Sequence, residues 1–190
     1  MKFFTAALSL AAAACAAPTS TRSYTGEFGI IALRSASPIH FATLSATGNS
    51  LRLNLPQDKV DSQCVDGETH VPATLYIEDE ELYLYGPEDK PKQIVYLDRS
   101  GMGQGVIQYT TKTDDPLGGR LETKGWRVDE VGNLFFKDNG LLACPLEADQ
   151  GYVVRLDVGI SNPHGYKDCL GFTARTVSLE EPVPCWYSSH

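Results

Sequence analysis

Basic residues are scarce in this 190-residue chain: 16 Lys and Arg stand against 24 Asp and Glu, a formal net charge of −8. Nucleic acid and anionic lipid are bound by neutralising phosphates with Lys and Arg, so neither is an expected partner. No apolar run reaches the ~20 residues that a membrane-spanning helix requires, and no membrane association is expected. The Asn-x-Ser/Thr acceptor is absent, which removes N-glycosylation. Long helical stretches are missing as well. Beyond the N-terminus the longest segment free of Gly and Pro is Ala73 to Tyr85, and it alternates with a period of two.

Catalytic and cofactor signatures are also lacking. Ser100 lies in no G-x-S-x-G elbow. The glycine-dense run from Asp98 to Gly105 has no following Lys-Ser/Thr and no helix to hold a phosphate. It reads as a turn between strands Ile94–Leu97 and Val106–Thr110. The acidic run Glu78 to Glu81 reads as a solvated hairpin tip, not as the facing carboxylate pair that glycoside hydrolysis needs. His40 sits among apolar neighbours and His164 in a turn, both structural settings. Cys-x2-Cys spacing is absent and the four histidines are scattered, so no metal is expected. No catalytic residue is assigned, no cofactor is expected, and the chain reads as a monomer.

What is present begins with an export signal. Met1-Lys2 is followed by an apolar stretch from Phe3 to Ala14, then by the small-residue pattern Ala14-Cys15-Ala16. That order predicts a signal peptide over 1–16, cleaved after Ala16. Residues 17–25 read as a flexible segment and 26–190 as a single domain. The C-terminal residues lack the apolar tail of a lipid-anchor signal. Four of the five cysteines stay with the exported chain: Cys64, Cys144, Cys169 and Cys185. An even number in an exported domain predicts two disulfides, with three connectivities open. The expected one joins Cys144 to Cys169 across a moderate loop and leaves Cys64 for Cys185.

The hydrophobic pattern is that of short strands. Leu51, Leu53 and Leu55 alternate with polar residues, as do Leu82 and Leu84, and Val154, Leu156 and Val158. Gly48-Asn49, Gly132-Asn133 and Asn139-Gly140 supply turns. About twelve strands are expected, with three similar hairpins at Phe41 to Leu53, Thr74 to Tyr85 and Trp126 to Phe136. The predicted class is all-β, a β-trefoil-like domain with a two-sheet sandwich as the alternative. Trp126 is read as core. Tyr83, Tyr85, Trp186 and Tyr187 are the candidates for stacking on a sugar, although isolated exposed aromatics are ordinary on protein surfaces.

Several motifs together resemble the fungal phialide-development cell wall proteins, the PhiA-like family. They are Leu33 to Phe41, Leu51 to Pro56, Val95 to Thr111, Lys124-Gly125-Trp126, Gly132-Asn133-Leu134, Leu141 to Pro145 and Cys169 to Phe172. The resemblance covers nearly the whole exported chain. It implies a secreted, wall-associated protein of spore-bearing structures and stress protection, with no enzyme activity and no catalytic residue to carry over. Some members carry a glycosylation acceptor where this chain reads Asn133-Leu134-Phe135, and Phe135 removes it here.

Gly103 to Thr111 is also similar to the glutamine repeat of the yeast internal-repeat (PIR) wall mannoproteins. In that family a repeat glutamine is thought to form an ester with wall glucan. The resemblance makes Gln104 the candidate for attachment and Gln108 the second choice. This chain holds the motif once, with Gly105 inserted, and an ordinary hairpin is the plainer reading of it. The expected partner is cell wall polysaccharide, β-glucan or chitin. The alternative function is a secreted lectin-like module or host-directed effector.

Overall fold

The computed structural model describes residues 26–111, 118–147 and 149–189. The expected signal peptide (1–16) and the segment 17–25 lie outside the described residues. Fifteen strands form among the latter. They are β1 (Phe28–Leu33), β2 (Leu44–Thr47), β3 (Ser50–Leu53), β4 (Gln63–Cys64) and β5 (Leu75–Glu78). Then come β6 (Glu81–Leu84), β7 (Gln93–Asp98), β8 (Val106–Thr110), β9 (Leu121–Glu122) and β10 (Trp126–Val128). The last five are β11 (Asn133–Phe136), β12 (Leu141–Pro145), β13 (Tyr152–Leu156), β14 (Leu170–Ser178) and β15 (Cys185–Trp186).

The antiparallel pairings run β1-β5-β6-β7-β8-β13-β12-β14 and return to β1, a closed circuit. Closure matters because an open sheet edge presents unpaired backbone groups to any neighbouring chain. The circuit closes where β14 lies against β1 from Phe28↔Ser178 to Leu33↔Thr173. On the opposite side β8 and β13 meet only at Arg155↔Val106, and β3 bridges them by pairing with both.

All three expected hairpins form: β2–β3, β5–β6 and β10–β11. Their turns explain why. Gly48 and Asn49 both take positive φ at the β2–β3 tip, the combination that a two-residue hairpin of the right twist requires. Asp79 and Glu80 do the same at the β5–β6 tip, and the Glu80 carbonyl is held by the amides of Gly125 and Trp126. The all-β class is therefore as expected. The three hairpins do not occupy equivalent places, however, so the pairing order lacks the threefold equivalence of a trefoil. β5 and β6 are consecutive members of the circuit, β3 bridges two others, and β10–β11 hangs from β14.

Alternation fills a single interior. Phe28, Ile30 and Ala32 of β1 point inward with Leu82 and Leu84 of β6, Val95 and Leu97 of β7, and Val154 and Leu156 of β13. Trp126 stands edge-on to Phe136 in the same core, their centroids 5.2 Å apart. A smaller cluster of Leu142, Cys144 and Val153 lies on the outer face of β12 and β13. Disulfides join Cys144 to Cys169 at that face and Cys64 to Cys185 between β4 and β15.

The β7–β8 connection is a compact turn in contact with β13. The Asp98 carboxylate accepts the amide of Ser100 at 2.8 Å, and the Gly105 carbonyl accepts the amide of Leu156 at 2.8 Å. Gly105 has φ +78, and a Cβ there would stand 2.2 Å from the Leu156 carbonyl oxygen. Glycine is thus required twice over, by conformation and by close approach.

Candidate functional site

The two-residue tip at Asp79-Glu80 fixes the register of β5 and β6, and that register sets Tyr76 opposite Tyr83. With Leu75, Leu82 and Leu84 turned into the core, both tyrosines face outward and stack, with centroids 5.2 Å apart and planes 16° from parallel. Cross-strand aromatic pairs of this kind stiffen a hairpin. The Tyr83 hydroxyl donates to Glu81 at 2.7 Å. Burial, together with that acceptor and its charge, holds the Tyr83 phenol well above the ordinary tyrosine range. Glu81 also accepts from the Thr123 hydroxyl at 2.6 Å. Burial disfavours its charge, but the two hydroxyl donors prevail and hold its carboxyl below the ordinary range.

Tyr85 follows β6 directly, and its ring meets that of Tyr76 edge-on at 6.4 Å and 89°. The two rings therefore form a right-angled corner. Facing it is the connection from Gly86 to Lys92, with a turn closed by the Lys90 amide on the Pro87 carbonyl at 3.1 Å. Proline at 87 and 91 fixes φ on both sides of that turn. Lys92 reaches back over the aromatic pair, its Nζ 5.8 Å from the Tyr76 centroid, 5.3 Å from that of Tyr83, and 2.5 Å from Glu78. The hydrogen bond to Glu78 raises the pKa of Lys92. The space enclosed is a cleft of about 350 Å³ walled by Tyr76, Leu84, Tyr85, Pro87 and Pro91, with Glu27, Glu88, Lys90 and Lys92 on its rim.

The four aromatic residues expected to stack on sugar separate in the structure. Tyr85 lines the cleft. Tyr83 is only 8% exposed and serves as the backing plate of Tyr76. Trp186 is half-buried on β15 and does not line the cleft. Tyr187 requires a correction: it is 1% exposed and belongs to the core. Its backbone exchanges two hydrogen bonds with the buried amide side chain of Gln93, at 2.8 and 3.0 Å, which carries the chain inward there. Burial pushes its phenol up to about 12. Tyr76 was not among the residues expected to stack on sugar. The signal that finds it is the two-residue tip, from which Tyr76 and Tyr83 follow as partners by counting.

Gln104 and Gln108 are not brought together with these aromatics. The Gln104 carboxamide is engaged at both ends: Oε1 accepts the His164 amide at 2.7 Å and Nε2 donates to the Gly101 carbonyl at 3.2 Å. The His164 ring adds a third link from the same loop, to the Gly103 carbonyl at 2.9 Å. Gln108, on the outer face of β8, accepts from the Tyr96 hydroxyl at 3.0 Å. Exchanging the Gln104 amide for an ester would expel its nitrogen and the bond to Gly101, while the carbonyl could still accept from His164. Near Cys64, the Asp66 carboxylate meets the His70 ring at 2.6 Å. The Cys64 sulfur is bonded to Cys185, so that group offers two free ligand atoms, not three.

A family model described as PhiA-like secreted protein matches residues 28–188. A protein of Emericella nidulans named cell wall protein phiA is 43% identical over 187 residues, 97% of each chain. A protein of that name from Aspergillus fumigatus is 37% identical over 183 residues, 96% of this chain and 94% of the other. One from Arthroderma benhamiae reaches 47% over 118 residues, 61% of this chain and 62% of the other. No solved structure matches.

Proposed function

Because the chain belongs to the PhiA-like secreted proteins, we propose that it is a non-enzymatic component of the fungal cell wall, exported and retained there, that acts in forming phialides and conidia. The observation that carries this reading is the end-to-end match to relatives named as cell wall proteins, 97% of each chain in the Emericella nidulans case. The fold is suited to such a place. Its backbone pairings close on themselves, and two disulfides tie residues 121 and 25 positions apart. Cross-links that long restrict the unfolded chain strongly and favour persistence outside the cell. The test is a deletion strain complemented with a tagged copy. Tagged protein in the washed wall fraction, with conidium yield restored, supports the reading. Protein recovered only from the medium, with conidium formation unchanged by the deletion, overturns it.

A further inference from the structure

We propose that the corner formed by Tyr76 and Tyr85, facing the Pro87–Pro91 turn, is a binding site for a neutral β-linked hexopyranose chain. The proposal rests on the wall reading above and names the polymer class that such a protein would grip. Three features of the cleft point to this ligand.

The first is shape. A tyrosine ring presents a negative face, and the axial C–H bonds of a β-linked pyranose present a weakly positive one, so the two stack flat. Two rings at 89° provide a face for one sugar and an edge against its side. The second is rigidity. Tyr76 is backed by Tyr83, Lys92 spans the pair, and the prolines fix the opposing turn, so little freedom is lost when a ligand enters. The third is charge. Lys92 is paired with Glu78, which leaves Glu27, Glu88 and Lys90 as hydrogen-bonding groups around an apolar floor. A rim of mixed sign on a chain of net charge −8 has no attraction for a polyanion, whereas sugar hydroxyls can both donate to its carboxylates and accept from its ammonium group.

β-Glucan and chitin share this chemistry, and soluble fragments separate them. Purified, oxidised full-length protein is titrated calorimetrically with a β-1,3-linked glucose hexasaccharide and, in a second arm, with a β-1,4-linked N-acetylglucosamine hexasaccharide. A proline-rich peptide, the other ligand that aromatic clefts accept, is the third arm. The expected result is binding of at least one saccharide, weakened about tenfold or more in Tyr85→Ala and Tyr76→Ala. Tyr76→Phe keeps the ring and should bind as the wild type does. Because Tyr76 also supports Tyr83, Lys90→Ala is measured alongside, and circular dichroism confirms that each variant is folded. Binding of neither saccharide by the wild type, undiminished binding by folded Tyr85→Ala, or binding of the peptide alone overturns the proposal. These titrations use no cell wall. A protein that resides in walls but binds no saccharide refutes the site and spares the wall reading, and the converse result does the reverse.

Discussion

The amide of Cys185 donates a 2.9 Å hydrogen bond to the carbonyl of Tyr85, so the Cys64–Cys185 disulfide stands directly behind the aromatic corner. Gly86, the next residue, lies against the Cys185 carbonyl. The second disulfide, Cys144–Cys169, is packed in the separate cluster on the outer face of β12 and β13. The two bridges therefore have different duties, although both are tethers.

Their removal should be distinguishable in two ways. In the chain-entropy account a bridge across 121 residues contributes about 5 kcal/mol and one across 25 residues about 3.5 kcal/mol. Cys64→Ala with Cys185→Ala should thus lower the denaturation midpoint further than Cys144→Ala with Cys169→Ala. Only the first pair should also weaken saccharide binding at the cleft. Calorimetric melting and titration of both double variants check the order and the split.

Gly105→Ala should destabilise the protein by about 1–3 kcal/mol, the cost of a non-glycine residue at positive φ combined with a forced contact. The new Cβ would strike the Leu156 carbonyl, and Leu156 is the residue whose amide the Gly105 carbonyl accepts. Urea denaturation measures the loss. Gly118→Ala, where a Cβ meets nothing within 4 Å, is the matched control and should change little.

The difference between these two glycines was not legible in the sequence, and the reason is general. Alternation at Leu51 and Leu53, or at Val154 and Leu156, reveals strands because each strand reports its own buried face. Turn chemistry at Gly48-Asn49 reveals a hairpin because both partners are local. Closure of the circuit depends on Phe28 meeting Ser178, a pairing no local pattern announces. Without closure the threefold look of the hairpins suggested a trefoil. The site was legible to the same degree: Tyr85 stood among the four aromatic candidates, whereas Tyr76 required the register. Tyr187 looked like a surface residue because its inward turn depends on Gln93, far away in sequence.

Gln104→Ala should behave as a structural change. The variant loses the bonds of its amide to His164 and Gly101, and with them part of the link between the β7–β8 turn and the loop around His164. A loss of about 1–2 kcal/mol is expected for two such bonds on a half-exposed side chain. Sequential extraction of walls with hot detergent and reductant, then mild alkali, then glucanase should release wild type and variant at the same step. Earlier release of the variant would instead establish Gln104 as an ester attachment.

Acid should weaken the protein partly through Glu122. Its carboxylate takes a two-pronged contact from Arg99, at 2.7 and 2.9 Å, and a third from Lys137. The hydrogen bonds from Arg99 act first, burial opposes them, and Lys137 adds to them; together they hold the Glu122 carboxyl below its ordinary range. A group whose pKa is lower folded than unfolded binds more protons when unfolded, so its contribution is complete above the unfolded value, about 4.3. It is lost as pH falls through the lower, folded value. Glu122→Gln should therefore cost about 1 kcal/mol at neutral pH, the scale of an ion-pair network that is partly solvated. Below the folded pKa the two proteins should converge. Melting temperatures of both proteins between pH 7 and pH 2 decide the matter: a gap that stays constant across that range would mean that packing, not charge, is what Glu122 contributes.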